Sequence, residues 1–170
     1  MPPCASPSVA RSATRRERRR SGLLHNGAAL SQGTVLAIDY GERRLGVAVG
    51  ELSLRIAHPL QTIHARSDTQ RLEQIGRLVT QWQPVRLIVG LPSRAQGEHP
   101  LAARCRRFAD RLSQRFGIDT RLVDEHLTSH AAGESLAEAG VRGIRQKEML
   151  DQVAAQHILA TYFSIRDEAA

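Results

Sequence analysis

Three acidic residues, Asp39, Glu125 and Asp151, occupy positions from which side chains could act together. Asp39 closes the apolar run Thr34–Asp39 (TVLAID), and Asp124-Glu125 closes Ile118–Asp124 (IDTRLVD). Asp151 sits in a helical pattern on the same side as Ala154, Ala155 and Ile158, and the small alanines would let that helix come close to a sheet. Converging carboxylates repel one another and are costly to bury unless a cation neutralises them. Their hard oxygens suit Mg²⁺ or Mn²⁺. Such ions clamp a phosphodiester, activate water and stabilise the leaving oxygen. Gly41 would let backbone and substrate approach near Asp39. The chemistry expected is metal-dependent phosphodiester cleavage.

Each acid also has a plainer explanation. Asp39 before Tyr-Gly could be a turn former. Asp124 and Glu125 could be loop acids or part of a helix cap, and Asp151 could pair with Lys147 one turn away on an exposed face. It is the combination at one edge of one sheet that carries the reading. A second constellation is the run Arg104, Arg107, Arg111 and Arg115, spaced by three and four. It could contact phosphates without reading sequence, or be an ordinary solvated face. His126 and His130 flank the acids and could orient a water or a scissile phosphate, or serve as surface or capping groups. No zinc spacing of Cys and His, no phosphate-binding P-loop and no nucleophile elbow is present.

The elements that must position these residues follow from hydrophobic pattern. Thr34–Asp39 reads as a central strand covered on both faces, and Arg44–Gly50 (RLGVAVG) as its partner across the Gly41 turn. Ile56–Ile63 reads as a third strand held to an edge by Pro59. Ser67 and Gln70 resemble a capping box before a helix with Leu72, Ile75, Leu78, Val79 and Trp82 on one face, stopped at Pro84. Arg86–Gly90 is a short buried strand. A helix from about Pro100 to Phe116 then carries Leu101, Cys105, Phe108, Leu112 and Phe116 as its apolar stripe. The fifth strand, a helix over Ser129–Ala139, a stretch with Gly140 and Gly143, and a last helix over roughly Lys147–Phe163 complete the order. This is an α/β pattern: a five-stranded mixed sheet, antiparallel through three strands and parallel afterwards, with helices on both faces. Parallel strands place the functional crevice at their carboxyl ends, where the acids fall.

The chain of 170 residues has room for one such domain, with 41% hydrophobic and 24% charged residues. No apolar run approaches a membrane span. Two cysteines, Cys4 and Cys105, make no disulfide framework and fit a reducing cytoplasm. The net charge of +7 points to a polyanionic partner, but six arginines against Glu17 alone place +5 of it in residues 1–33. That segment, rich in Ser, Ala, Pro and Arg, reads as a disordered basic extension before a folded body at 34–165, with 166–170 as a tail. Aromatics at 4% leave little for a base-stacking platform.

Together the segments AIDYGERRLGVAVG (37–50), LIVGLP (87–92) with Gly97, VDEHLTS (123–129) and QKEMLDQVAAQHIL (146–159) resemble the YqgF family. Its members are named both as pre-16S rRNA nucleases and as Holliday junction resolvases. The resemblance spans about Thr34 to Phe163. It implies a ribonuclease-H-like fold, divalent-metal-dependent phosphodiester hydrolysis, and metal-holding catalytic acids at Asp39, Glu125 and Asp151. Gly41 matches the glycine of the first motif, and Lys147 the basic start of the last. Two departures concern substrate contact. His126 stands where Arg usually follows the Asp-Glu pair, and Ser93–Gln96 differs from the usual Leu-Asn-containing run.

The function expected is trimming of the 5′ end of pre-16S rRNA during ribosome biogenesis, in the cytoplasm, by a monomer or homodimer. Resolution of four-way DNA junctions is the competing enzyme reading, and would be supported by a symmetric dimer with two active sites. A sugar-kinase-like or actin-like phosphotransferase would need two such domains, which the length does not provide. A non-catalytic RNA-binding assembly module that merely retains the acids is the alternative outside catalysis.

Overall fold

The computed structural model describes residues 31–93, 99–125 and 144–168. Residues 1–30, Gly97, His126, His130, the helix expected over Ser129–Ala139, and Gly140 and Gly143 lie outside the described residues. Eight elements follow in order: β1 (Thr34–Tyr40), β2 (Arg44–Glu51), β3 (Ile56–His64), α1 (Asp68–Trp82), β4 (Arg86–Leu91), α2 (Ala102–Phe116), β5 (Asp119–Asp124) and α3 (Ile144–Glu168).

The strands form one sheet in the order β3-β2-β1-β4-β5. β1 pairs antiparallel with β2, and β2 with β3; β4 runs parallel to both β1 and β5. The expected topology is therefore the observed one. Pro59 lies on edge strand β3, where a missing N–H interrupts no inner ladder, and the β2–β3 register shifts beside it, between Val47 and Ala48.

Strand alternation divides the core into two layers. Leu36, Ile38, Tyr40, Leu87 and Val89 face α1 and α2, packing with Leu72, Ile75, Phe108 and Leu112. Val35, Ala37, Ala48 and Ile88 face α3, packing with Ala155, Ile158, Leu159 and Phe163. Helices thus cover both faces. Cys105 is buried within the α2 stripe as a small hydrophobe, and burial pushes its thiol up to about 12.

Local signals set the helix ends. Ser67 caps α1 by accepting from the Gln70 amide, while the Gln70 side chain reaches back to the Arg66 amide, one residue earlier than a full capping box. Gln83 in the left-handed region ends α1 before Pro84, and Gly117 ends α2. The last helix begins at Ile144 rather than near Lys147 and runs past Phe163 through Glu168, taking in residues expected in the tail. No Gly or Pro interrupts 144–168, so nothing in the sequence breaks it earlier. Asp151 consequently lies about two turns inside the helix instead of one.

α3 touches the sheet at backbone distance because the strands beneath it lack side chains where it crosses. A Cβ on Gly46 of β2 would stand 1.7 Å from the Asp151 carbonyl oxygen, and one on Gly50 would meet Ile56 O at 2.5 Å and the Leu159 side chain at 2.9 Å. A Cβ on Gly90 of β4 would meet Ile158 at 2.5 Å and the Glu125 carboxylate at 2.1 Å. Gly76 inside α1 has only the Phe116 ring near its missing Cβ, at 3.4 Å. Gly46→Ala is therefore expected to cost several kcal/mol by lifting α3 off the sheet, on the scale of an overpacked core. Gly76→Ala should instead be neutral or stabilise by up to about 1 kcal/mol through helix propensity. Urea denaturation of the two variants beside the parent checks both signs.

Candidate active site

The carboxyl ends of the parallel strands β1, β4 and β5 form one edge of the sheet. Asp39 is the penultimate residue of β1, and alternation points it to the α3 face together with Val35 and Ala37. Asp151 comes to the same place from above, because its backbone rests on Gly46, the register partner of Asp39 on β2. Glu125 follows the last residue of β5 and lies on the α3 side with Val123, its carboxylate over Gly90. Asp124 points elsewhere and accepts a hydrogen bond from Ser93 Oγ at 2.5 Å.

The cost of this arrangement is visible in the acids. Burial, and then the negative charge of Asp151, push Asp39 from 3.8 up to about 6. Burial, followed by Asp39 and Asp124, pushes Glu125 from 4.5 up to about 7. Asp39 thus senses Asp151 and is sensed by Glu125, which puts it at the centre of the group. Asp151 is turned to Arg44, whose Nε donates to Oδ2 at 2.6 Å. That strand residue, and not Lys147, is its partner, so the reading of Asp151 as half of an exposed helical ion pair is excluded. Among the described residues, no three His, Cys, Asp or Glu side chains stand close enough to share one metal ion. The donor set nevertheless fits a hard divalent cation: three carboxylates at one edge, two of them destabilised by burial and like charge.

The other expected residues fall in different places. Gly41 is needed for the β1–β2 turn, where its amide donates to the Arg44 carbonyl at 3.0 Å and a Cβ would stand 2.6 Å from that oxygen. Lys147 is exposed on α3, one turn before Asp151. Arg104, Arg107 and Arg111 belong to α2, on the sheet face opposite the acids. Arg104 pairs with Glu42 at 2.5 Å and Arg111 with Asp68 at 2.6 Å, while Arg107 lines a cavity beside Tyr40.

Two residues not singled out from sequence have structural prominence. Arg44 had a legible signal, since alternation along β2 puts Arg44, Gly46, Ala48 and Gly50 on the Asp39 face. Arg71 had none. Its position next to Leu72 on α1 gives no hint that it is 5% exposed, bonded to Asp68 at 2.8 Å and to the Glu42 carbonyl, over the Tyr40 ring.

Because the unfolded chain ionises Asp39 near 3.8 and the folded protein near 6, the folded state binds more protons between those values. The contribution of Asp39 to stability is fully present below about pH 4 and is lost as pH rises through 6. Without divalent metal, Asp39→Asn should therefore match the wild type at pH 4 and exceed it at pH 8 by on the order of 2 kcal/mol. Thermal melts in EDTA at the two pH values test this. A variant less stable than wild type at pH 8 would contradict the buried-carboxylate account.

Comparison with known proteins agrees with the geometry. A family model described as "RuvX: Holliday junction resolvase" matches residues 33–165. A protein of Methylobacillus flagellatus is 53% identical over 137 residues, covering 80% of this chain and 94% of the relative. One of Nitrosospira multiformis is 54% identical over 136 residues, covering 79% and 90%. Both carry the name "Putative pre-16S rRNA nuclease". Among solved structures, RuvC of T. thermophilus in complex with a Holliday junction substrate aligns with a TM-score of 0.54 at 13% identity, covering 81% of this chain and 98% of RuvC. That likeness speaks to the fold, which is ribonuclease-H-like. With the family match spanning residues 33–165, the chain belongs to the RuvX family of nucleases, the YqgF family its motifs resemble.

Proposed function

We propose that this protein is a divalent-metal-dependent endonuclease that trims the 5′ end of pre-16S rRNA during ribosome biogenesis in the bacterial cytoplasm. The observation that carries the reading is the half-buried Asp39, flanked by Asp151 and Glu125 on one face at the carboxyl edge of the sheet. The names carried by relatives about half identical over most of their length supply the substrate. Among the described residues no helix is long and apolar enough to cross a membrane.

Asp39, Glu125 and Asp151 would hold Mg²⁺ or Mn²⁺, which supplies Lewis-acid activation of water and of the phosphodiester. Asp39 would be shared between the other two in such a set, since its pKa is raised by the charge of Asp151 and its own charge raises that of Glu125. Glu125, whose carboxylate stands over Gly90, would complete the ligand set from the end of β5. Arg44, whose Nε holds Asp151 at 2.6 Å, would share that carboxylate with the ion and present its remaining donors to a substrate phosphate. Gly41, Lys147 and His126 would contribute substrate contact, and so would Arg104, Arg107 and Arg111 from α2 on the opposite face of the sheet. By analogy with the fold, products carry 5′-phosphate and 3′-hydroxyl ends. The description of the family favours one second reading, cleavage of four-way DNA junctions, which a symmetric homodimer with two active sites would support.

A cleavage assay with Mg²⁺ or Mn²⁺ should offer a precursor-rRNA 5′ leader and a four-way DNA junction side by side. The leader is expected to be cut, with activity reduced about 100-fold or more in Asp39→Asn and in Asp151→Asn. Preferential cutting of the junction would replace the rRNA assignment by the resolvase one. Variants as active as wild type would remove the three-acid mechanism, and binding without cleavage of either substrate would favour an assembly module.

A further inference from the structure

The sheet face opposite the acids carries a second polar site. A cavity of about 360 Å³ opens beside the end of β1, lined by Arg66, Ser67, Arg71, Arg104 and Arg107 with Tyr40 at its base. It lies between the capped start of α1 and the first half of α2. Four guanidinium groups converge there, against the two carboxylates Glu42 and Asp68 that also line it. The balance is cationic.

Arg71 makes this more than a solvated arginine stripe. It is 5% exposed, and its terminal nitrogens are held by Asp68 and by the Glu42 and Gly41 carbonyls. Its Nε has no hydrogen-bond partner among the described residues. A buried cation is costly, and an anion in the cavity would offset the charge of the Arg71 guanidinium that lines it. The acids present compete unequally. Glu42 with Arg104 is a largely exposed pair of the kind that contributes little to stability, whereas Asp68 is held by the buried Arg71 as well as by the exposed Arg111. A phosphate displaces a partner such as Glu42 readily, because guanidinium groups can hold it through two parallel N–H···O bonds. The first turn of α1 adds its positive end.

Tyr40 follows Asp39 directly, and consecutive strand residues point to opposite faces. The cavity and the acids are therefore the two sides of one strand end, joined by the short turn at 41–43. We infer that this arginine cavity is a subsite for a backbone phosphate of the nucleic-acid strand cut at Asp39, so that the strand crosses the β1–β2 turn. The inference rests on the nuclease reading for the identity of the strand, but the affinity of the cavity for phosphodiester does not require cleavage.

The test measures binding of a labelled single-stranded RNA to the full-length protein by fluorescence anisotropy, in EDTA, across a salt series. Wild type, the double variant Arg66→Gln/Arg107→Gln and the control Arg77→Gln are compared; Arg77 is exposed on α1 outside the cavity. The two substituted arginines are exposed, so folding is not at stake. The double variant should bind about 10-fold or more weakly, with the salt slope reduced by about one to two, and Arg77→Gln should keep the wild-type values. Equal losses in control and double variant, or no loss in either, would overturn the subsite. So would thermal stabilisation of the wild type, but not the double variant, by millimolar inorganic phosphate if RNA binding were the same for both proteins; that pattern would mean a free-phosphate site. The same proteins are then assayed for cleavage with Mn²⁺. A selective binding defect with an inactive wild type would leave the subsite standing and remove the nuclease. Unaltered binding with an active wild type would do the reverse.

Discussion

The arrangement depends on α3 lying on the sheet at backbone contact. Gly46 and Gly50 of β2 and Gly90 of β4 leave no Cβ where the helix crosses, and Ala155 offers little bulk in return. Interiors are packed too densely to absorb a clash of the kind an alanine at Gly46 would create. The contact fixes the height of α3, and with it the position of Asp151, whose own carbonyl is the group resting on Gly46. Packing of Ile158, Leu159 and Phe163 against Val35, Ala37 and Ile88 then supplies the apolar burial that holds the helix down.

That closeness has an electrostatic consequence. Asp39 cannot avoid Asp151, since Gly46 is both its register partner and the seat of the Asp151 backbone. Arg44 satisfies Asp151, but the charges of Asp39 and Glu125 remain penalised by burial and by one another. The fold thus spends part of its stability to keep carboxylates where a divalent cation would be favoured, a pattern common at functional sites. The apolar cores on either face of the sheet make this tolerable.

The two faces of β1 are chemically unlike at the same level. On one, Asp39 looks toward α3 and the acids; on the other, Tyr40 packs against Phe108 and under the Arg71 guanidinium. The hairpin turn that separates them is held by the Gly41 amide and by Arg71, which donates to the backbone carbonyls of residues 41 and 42. Acid and basic surfaces are therefore coupled through one short turn.

Much of this could be read from the residues alone. Continuous apolar runs marked β1 and β4 as central, Pro59 placed β3 at the edge, and the capping residues Ser67 and Gln70 with Gly117 fixed helix ends. These features are local: period, breakers and caps act over a few residues. The strand-end positions of Asp39 and Glu125, and the small residues beside Asp151, also singled out the acids. Tertiary structure decided what depends on contacts between distant segments. The Arg44–Asp151 pair spans 107 positions, and the burial of Arg71 arises only because the β1–β2 turn closes over α1. The raised pKa values of Asp39 and Glu125 likewise belong to no single segment, because desolvation and like charge exist only once three elements meet at one edge of the sheet.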